Sequence, residues 1–330
     1  MSKSILVTGG AGYIGSHACK ALAQAGYTPV TYDNLGRGHR EAVRWGPLIE
    51  GDLADRDRLV ATLRRIDAAA VMHFAAFAYV GESVTQPELY FRNNVANSLV
   101  LFEAMQAAGV KRIVFSSTCA TYGLPDQMPI AETTPQHPVN PYGESKLMIE
   151  RMLHWLGPAH GLRHVALRYF NAAGADPDGA IGEEHEPETH LIPLVLFTAL
   201  GRRDAVDIYG TDYATPDGTA IRDYIHVHDL AQAHVLALGH LLGGGDSVAL
   251  NLGTGQGHSV REVIAAAERV TGRAIARRET PRRAGDPPRL VADARKAQAM
   301  LNWTPRLSGI ADILASAWAW HTRPKPPASA

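Results

Sequence analysis

The chain has 330 residues, more than the roughly 250–300 at which a single hydrophobic core stops growing, so two lobes are expected. Hydrophobic residues make up 46% of the sequence and charged residues 20%, and the formal net charge is -1, as in an ordinary globular protein. This balance argues against a nucleic-acid partner, and no apolar run reaches the roughly 18 residues of a membrane span.

The two cysteines, Cys19 and Cys119, are too few for a disulfide framework or a zinc site. The first ten residues, "MSKSILVTGG", do not resemble a signal peptide. The sequence therefore predicts a cytoplasmic protein with no membrane association.

Short apolar segments alternate with amphipathic segments through the first half of the chain. Strands are predicted at "SILVT", "TPVTYD", "GPLIEGD", "AAAVMHFA", "RIVFSS" and "HVALRYF". Helical patterns separate them, which predicts right-handed βαβ units and a doubly wound parallel α/β sheet of Rossmann type. We assign residues 1–169 to this first domain.

The regular alternation ends after Phe170, where residues 171–190 are polar and broken by Gly and Pro. Loops of this length are usually functional. Strands and helices then resume, so residues 170–330 are predicted to form mainly a smaller C-terminal α/β substrate lobe. Strands within about 221–254 are expected to return in part to the first sheet, and the tail from about 323–330 is expected to be disordered.

A glycine-rich turn, "ILVTGGAGYIGSHACKAL", joins the first strand to the first helix and contains Gly9, Gly12 and Gly15. Such glycines let the backbone approach a pyrophosphate at a helix N-terminus. Asp33 ends the second strand, where an acid suits the ribose hydroxyls of NAD and repels the 2′-phosphate of NADP. The turn predicts an NAD site. A purely structural turn is the alternative, and the nearby Arg37 is the one feature that favours NADP.

The segment "NPYGESKLMIE" places Tyr142 and Lys146 one helical turn apart on the same face. A phenol has a reference pKa of about 10, and an ammonium group within about 4–6 Å favours the phenolate. The pair therefore predicts a general base that removes a proton from an alcohol. An ordinary amphipathic helix with a solvated lysine is the alternative.

The G-x-x-G-x-x-G spacing resembles the extended branch of the short-chain dehydrogenase/reductase superfamily. In that superfamily a strand ends in a Ser or Thr that hydrogen-bonds the reacting oxygen. Thr118 holds this position in "SSTCATYG", and Ser116 and Ser117 are expected to line the way to it. Related dehydratases carry Asp-Glu directly after this Thr, whereas Cys119 and Ala120 stand here. Neither residue can act as the acid that protonates a leaving hydroxyl group in an elimination. Reversible oxidation of an alcohol is therefore the expected chemistry.

Further motifs extend the resemblance over roughly residues 4–321: "YDNL", "VGESV", "LRYFNAAGA", "HEPETHLIP", "DGTAIRDYIHV", "NLGTG" and "RRAGDP". Together they resemble the UDP-glucose 4-epimerase family, also called the UDP-galactose 4-epimerase family. The resemblance implies reversible C4 epimerisation of UDP-glucose and UDP-galactose through a 4-keto-sugar, with tightly bound NAD and a homodimer.

The resemblance also implies two sets of site residues beside the catalytic Tyr142, Lys146 and Thr118. The predicted NAD residues are Gly9, Gly12, Tyr13, Ile14, Gly15, Asp33, Asn34, Leu35, Asp52, Leu53, Phe74, Ala75, Ala76, Asn93, Ser116, Tyr142, Lys146, Tyr169 and Phe170. The predicted UDP-sugar residues are Thr118, Asn171, His190, Leu191, Tyr209, Arg222, Arg283, Asp286 and Leu290.

Three positions depart from well-known bacterial members: Ala78, His190 and Leu290 stand where some have Lys, Asn and Tyr. These departures leave the sugar selectivity open. The alternatives are a UDP-xylose/arabinose or UDP-N-acetylhexosamine 4-epimerase, a net reductase, and a non-catalytic nucleotide-sensing protein on the same fold. The segment "HVHD", with His226 and His228, raises the possibility of a metal site, but no third ligand is evident and a structural role is favoured.

Overall fold

The structure is a computed structural model that describes residues 2–283 and 285–324. Its strands, in chain order, are β1 Ser4–Thr8, β2 Thr28–Asp33, β3 Leu48–Glu50, β4 Ala68–His73, β5 Arg112–Thr118, β6 Arg163–Tyr169, β7 Asn171–Ala173, β8 Val206–Tyr209, β9 Ile221–His226, β10 Val248–Leu252, β11 Gly257–Ser259, β12 Arg277–Thr280 and β13 Arg289–Leu290. The first six confirm the strands predicted in the first half.

The helices pack on both faces of the main sheet and around the second lobe. They are α1 Tyr13–Gln24, α2 Arg56–Arg65, α3 Val80–Thr85, α4 Pro87–Tyr90, α5 Asn97–Ala108, α6 Pro141–His160, α7 Leu191–Ala199, α8 Val227–Leu242, α9 Val260–Thr271, α10 Arg295–Leu301 and α11 Ile310–Thr322. A π-helical turn, Phe91–Ala96, joins α4 to α5.

Seven parallel strands form the main sheet in the order β10-β6-β5-β4-β1-β2-β3. The alternation of side chains along β1 places Ile5 and Val7 in one buried cluster and Leu6 in the cluster on the opposite face. The chain therefore forms the predicted doubly wound α/β fold. The strand order reverses between β1 and β4, the position at which such sheets bind ligands.

The second lobe has a four-stranded sheet, in which β9 pairs with β7, β11 and β13, and a two-stranded sheet of β8 and β12. Its core is formed by apolar residues of α7, α9 and α11. Within the range 221–254, β10 joins the main sheet beside β6, whereas β9 does not return there. The reason is that β9 packs Tyr224 into the second core and pairs with β7, which directly follows the last strand of the first domain.

The first residues of the tail that is predicted to be disordered from about residue 323 lie within the described residues. Arg323 donates from Nη2 to Oε1 of Glu184 over 3.0 Å and from Nη1 to the carbonyl of Trp320 over 2.6 Å. The prediction for residues 325–330 lies outside the described residues. In the described ranges, no helix combines the length and the apolar character that crossing a membrane requires.

Candidate active site

The glycine-rich turn is shaped by contacts that exclude side chains. Gly9 has a φ of +73°, and a Cβ there would lie 2.5 Å from the backbone nitrogen of Ala75. A Cβ on Gly15 would lie 2.1 Å from the carbonyl oxygen of Gly9. Helix α1 starts after Gly12 with no capping side chain and no acidic residue in its first turn. The positive end of its dipole is therefore open to an anion.

Asp33 connects the end of β2 to this turn. Its carboxylate accepts hydrogen bonds from the backbone nitrogens of Ala11 (3.0 Å) and Leu35 (2.9 Å). Burial raises the pKa of Asp33, while the two backbone donors act in the opposite direction. Next to it, Asn34 donates to the Asp52 carboxylate over 2.8 Å. The predicted ribose and adenine residues are thus held together at the ends of β2 and β3.

Arg37 is engaged by its own neighbours. Its Nη2 donates to both carboxylate oxygens of Glu82 over 2.8 and 2.7 Å. The guanidinium also lies over the rings of Phe77 and Tyr79, 4.0 and 4.7 Å from their centroids. Because Arg37 makes these contacts, its guanidinium is not free to bind the 2′-phosphate of NADP. The glycine turn and Asp33 therefore fit NAD.

The end of β4 closes the turn from the other side. The backbone nitrogens of Phe74 and Ala75 both donate to the carbonyl of Thr8, over 2.9 and 3.1 Å. The ring of Phe74 lies 4.8 Å from that of His234. Ala76 follows directly. This places the predicted cofactor residues 74–76 against the glycine turn.

The three predicted catalytic residues come together where β5 ends and α6 begins. Asn140 caps α6 by accepting from the nitrogen of Gly143 over 2.8 Å. A Cβ on Gly143 would lie 2.5 Å from the carbonyl of Ala120, so glycine lets the helix start against the turn that follows Thr118. Tyr142 and Lys146 are both buried there.

Burial determines the protonation of this group of side chains. It raises the pKa of the Tyr142 phenol, and Tyr169 adds to the effect, whereas Thr118 lowers it. Burial also lowers the pKa of Lys146 to about 7, and its Nζ donates to the carbonyl of Ser116 over 2.8 Å. Burial is the largest influence on the pKa of the phenol here, and activation of Tyr142 by Lys146 together with bound NAD stays a prediction.

Hydroxyl groups at the end of β5 alternate between two faces. The Ser116 hydroxyl lies 2.7 Å from the Tyr169 hydroxyl. The Thr118 oxygen accepts from the nitrogen of Ala120 over 3.1 Å, so its own proton can still be donated to a reacting oxygen. Ser117 points to the opposite face and donates to Glu150 over 2.5 Å, so it does not line the way to the site.

The opposite face carries a closed set of buried ions and hydrogen bonds. Arg168 donates to both carboxylate oxygens of Glu150, the shortest contact being 2.5 Å. Its Nη1 also donates to the hydroxyl of Tyr122 over 2.9 Å, and this hydroxyl donates to Asn251 over 2.7 Å. Sequence reasoning did not find this network, because its members lie far apart in the chain.

Most of the predicted UDP-binding side chains gather in the second lobe. The guanidinium of Arg283 lies 3.8 Å from the centroid of the Tyr209 ring. Arg222 forms an ion pair with Asp286, and the nitrogen of Asp286 donates to the carbonyl of Arg283 over 3.3 Å. The structure thus brings these four residues into one group, while their contacts to a substrate stay predictions.

Leu290 lies at the inner edge of this group. It pairs with Arg222 across β13 and β9, and the residue is 9% exposed. It belongs to a small apolar cluster with Cys119 and Phe170. Leu290 is therefore placed between the strand end that carries Thr118 and the predicted UDP-binding residues.

His190 belongs to a group that sequence reasoning missed. It precedes α7, and its Nδ1 lies 2.5 Å from Oε1 of Glu183. His185 and Glu188 complete the group, and the ligand-type atoms of all four lie within 4.8 Å of one another. Burial lowers the pKa of His185, but the two glutamates raise it to about 10 overall. The E-x-H-x-x-E-x-H spacing of residues 183–190 was the available signal.

Three further predicted site residues, Tyr13, Asn171 and Leu191, each begin a helix or a strand. Tyr13 donates from its hydroxyl to the carbonyl of Gly174 over 2.6 Å, Asn171 begins β7, and Leu191 begins α7. The "HVHD" segment forms a structural contact, in which His226 Nδ1 accepts from the nitrogen of His228 over 3.0 Å. In the part of the chain that the structure describes, these two histidines have no third ligand beside them.

Many known proteins are similar to this chain in sequence and in structure. The model of the NAD dependent epimerase/dehydratase family matches residues 5–253. A curated UDP-glucose 4-epimerase of Rhizobium meliloti (strain 1021) is 55% identical over 322 residues, covering 98% of each chain. The chain therefore belongs to the NAD dependent epimerase/dehydratase family.

Solved structures show which members of that family the chain resembles. UDP-glucose 4-epimerase from Brucella ovis in complex with NAD has a TM-score of 0.94 at 53% identity, over 96% of this chain and 98% of that one. The enzyme from Bifidobacterium longum in complex with NAD+ and UDP has a TM-score of 0.92 at 40% identity, over 97% and 98%. The resemblance to the UDP-glucose 4-epimerases is confirmed.

Proposed function

We propose that the protein catalyses the reversible inversion of C4 that interconverts UDP-glucose and UDP-galactose, as an NAD-dependent enzyme. The observation that carries this is the meeting of Tyr142, Thr118 and Lys146 beside the glycine turn. The neighbouring Cys119 is buried, and burial raises the pKa of its thiol to about 12. It is a poor acid for an elimination, so oxidation and its reversal are the chemistry that this site supports.

Each catalytic residue has a role that its contacts support. Thr118 donates its hydroxyl proton to the 4-oxygen of the sugar, and Tyr142 takes the proton that this oxygen loses. Lys146 is held by the Ser116 carbonyl and places a partly charged amine behind the phenol. NAD, when bound, supplies the hydride acceptor and donor at C4 and a positive charge that favours the Tyr142 phenolate.

The substrate lobe holds the UDP part of the molecule. Arg222 and Arg283 offer guanidinium groups whose geometry suits a diphosphate, and Tyr209 offers a ring for the uracil. Asp286 pairs with Arg222 in this structure, and its carboxylate is suited to the uridine ribose. With the UDP part bound in this way, the sugar lies between Leu290 and the end of β5.

The direct test is incubation of the purified protein with UDP-glucose, and separately with UDP-galactose, without added cofactor. Each sugar should be converted to the same equilibrium mixture, with no net change in nicotinamide absorbance at steady state. Added NADH that is consumed in proportion to the product would instead indicate a net reductase. Product with UDP-xylose but none with either hexose would indicate a pentose epimerase.

We further propose a homodimer that forms through α5 and α6. A groove of about 410 Å³ between these helices is lined by Val95, Leu99, Met148, Arg151, Met152, Trp155 and Leu156. Trp155 is 72% exposed, which is unusual for the largest apolar side chain in a monomer. Light scattering should give twice the chain mass, and Trp155→Glu should give the monomer. A wild-type monomer at micromolar concentration would contradict this assignment.

The sequence-based expectations of a cytoplasmic location and of no nucleic-acid partner stay predictions.

A further inference from the structure

The loop before α7 carries four side chains that converge on one point. Glu183, His185, Glu188 and His190 each direct one ligand atom inward, and these atoms lie within 4.8 Å of one another. Two imidazoles and two carboxylates are a donor set that zinc accepts. We propose that these four side chains bind a divalent transition metal of the zinc class. This inference does not depend on the proposed function.

The spacing of the ligand atoms supports the assignment. A tetrahedral zinc ion with bonds of about 2.0–2.2 Å holds its ligand atoms about 3.3–3.6 Å apart. The Nδ1 atom of His185 lies 3.4 Å from Oε1 of Glu183 and 3.4 Å from Oε2 of Glu188. The 2.5 Å contact between His190 and Glu183 is shorter than this spacing and must lengthen to admit the ion.

A buried atom without a partner is the second, independent observation. The side chain of Glu188 is 5% exposed, and its Oε2 atom accepts no hydrogen bond from the residues that the structure describes. His185 Nδ1, which faces it, is also buried and lacks a hydrogen bond within the described ranges. The two atoms lie 3.4 Å apart, close enough for an ion pair but without a hydrogen bond, and a bound cation would give both a direct partner.

The supporting contacts hold the ligands in place. The other oxygen of Glu188 accepts from the backbone nitrogens of Thr189 (2.7 Å) and His190 (2.8 Å), which fixes the orientation of the carboxylate. The indole of Trp320 donates to the carbonyl of Glu183 over 3.2 Å. A Cβ on Gly182 would lie 2.4 Å from that indole, so the loop rests directly on the tryptophan. Such outer contacts orient the ligands of metal sites.

The position of the site suggests what an ion would do. The His185 ring meets the rings of Tyr13 and Tyr79 edge to face, with centroids 6.1 and 6.0 Å apart. Tyr13 is the first residue of α1 after the glycine turn. A metal that joins residues 183 and 190 would therefore hold the loop against the cofactor turn, in a structural role and without contact to the reacting atoms.

The same groups also form a closed set without a metal. Two protonated imidazoles facing two carboxylates would be electrically balanced, and this is the alternative that an experiment must separate. In that case no cation binds, and the histidines hold the loop by ion pairs alone.

The test begins with wild-type protein that has been treated with a chelator and desalted. Titration with Co²⁺ should produce the visible absorption of tetrahedral cobalt, and Zn²⁺ should abolish it at about one ion per chain. Equilibrium dialysis should give the same zinc stoichiometry, and the unfolding midpoint should rise with zinc. Absence of both the cobalt spectrum and zinc retention overturns the proposal in favour of the ion-pair alternative.

Matched variants locate the ion. His185→Gln should weaken zinc binding by more than about tenfold, while His228→Gln, the same change outside the group, should bind as wild type does. Glu188→Gln is the second ligand variant if His185→Gln does not fold. Equal loss in the control variant, or zinc located by anomalous scattering away from residues 183–190, would refute the site.

Discussion

Two buried charged centres lie one turn apart on the same face of helix α6, and their charges are accommodated in opposite ways. Lys146 has a carbonyl partner, and burial lowers its pKa to about 7. Glu150 is fully matched by Arg168 and by the hydroxyl of Ser117. The first centre faces Tyr142 and Thr118, and the second faces the interior between α6 and β6. The difference teaches that a buried charge without a counter-ion, as on Lys146, lies at the candidate reactive site. The buried ion pair of Glu150 and Arg168 serves the stability of the fold instead.

Breaking the buried ion pair of Glu150 and Arg168 should have the largest effect, a loss of stability. Glu150→Gln leaves the Arg168 guanidinium buried without its counter-charge, which should lower the free energy of unfolding by about 3–5 kcal/mol. Urea unfolding followed by circular dichroism measures this, with Glu144→Gln on the same helix as the control. A loss under about 1 kcal/mol would mean that the ion pair is not closed as the structure shows. The double variant Glu150→Leu/Arg168→Met should recover part of the loss.

Removing the phenol of the reactive face should reduce turnover and leave stability nearly unchanged. We expect Tyr142→Phe to lower turnover of UDP-glucose by about 10² or more, because the proton acceptor is lost. Tyr122→Phe is the matched change on the structural face, where the hydroxyl links Arg168 to Asn251. It should show the reverse pattern, with a lower unfolding midpoint and a smaller change in turnover. Near-normal turnover in Tyr142→Phe would contradict the proposed mechanism.

The lowered pKa of Lys146 predicts how stability depends on pH. Its folded pKa of about 7 lies below the reference value of about 10.4, so between these values the unfolded chain binds more protons than the folded one. Stability should therefore rise with pH across this window, by about 1.4 kcal/mol per unit from this group, and should fall as pH decreases toward 7. Lys146→Met should remove this slope in unfolding curves measured between pH 7.5 and about 9.5. Parallel slopes in the two proteins would show that the lysine is charged when folded.

The smallest expected effect concerns the choice of sugar. Leu290 lacks the ring and hydroxyl of a tyrosine, so the pocket wall next to it should leave room for a 2-acetamido group. We expect measurable epimerisation of UDP-N-acetylglucosamine beside UDP-glucose. Leu290→Tyr should reduce the first more than the second, by about 1–3 kcal/mol in the ratio of kcat/KM values. Leu290→Met is the control for volume without a ring. No turnover of the larger sugar by active wild-type enzyme would show that another side chain fills the space.

Local patterns were sufficient for much of the fold. Alternating apolar segments predict β1 to β6, and the spacing of Gly9, Gly12 and Gly15 predicts the turn that opens α1. The i, i+4 spacing predicts that Tyr142 and Lys146 share a helix face. These predictions succeeded because they depend on residues that are neighbours in the chain. By contrast, β7 has only three residues and exists because β9 pairs with it, so no local pattern could indicate it.

The sequence by itself determined the family and the doubly wound sheet, and it indicated the candidate reactive residues, because backbone period and short motifs encode them. Only the tertiary structure decided how deeply those residues are buried and which distant charges pair. The pKa of Lys146 follows from burial under elements far away in sequence, and Glu150 meets Arg168 only once α6 packs on β6. Desolvation and long-range pairing depend on what surrounds a side chain in space, and that environment is created by folding.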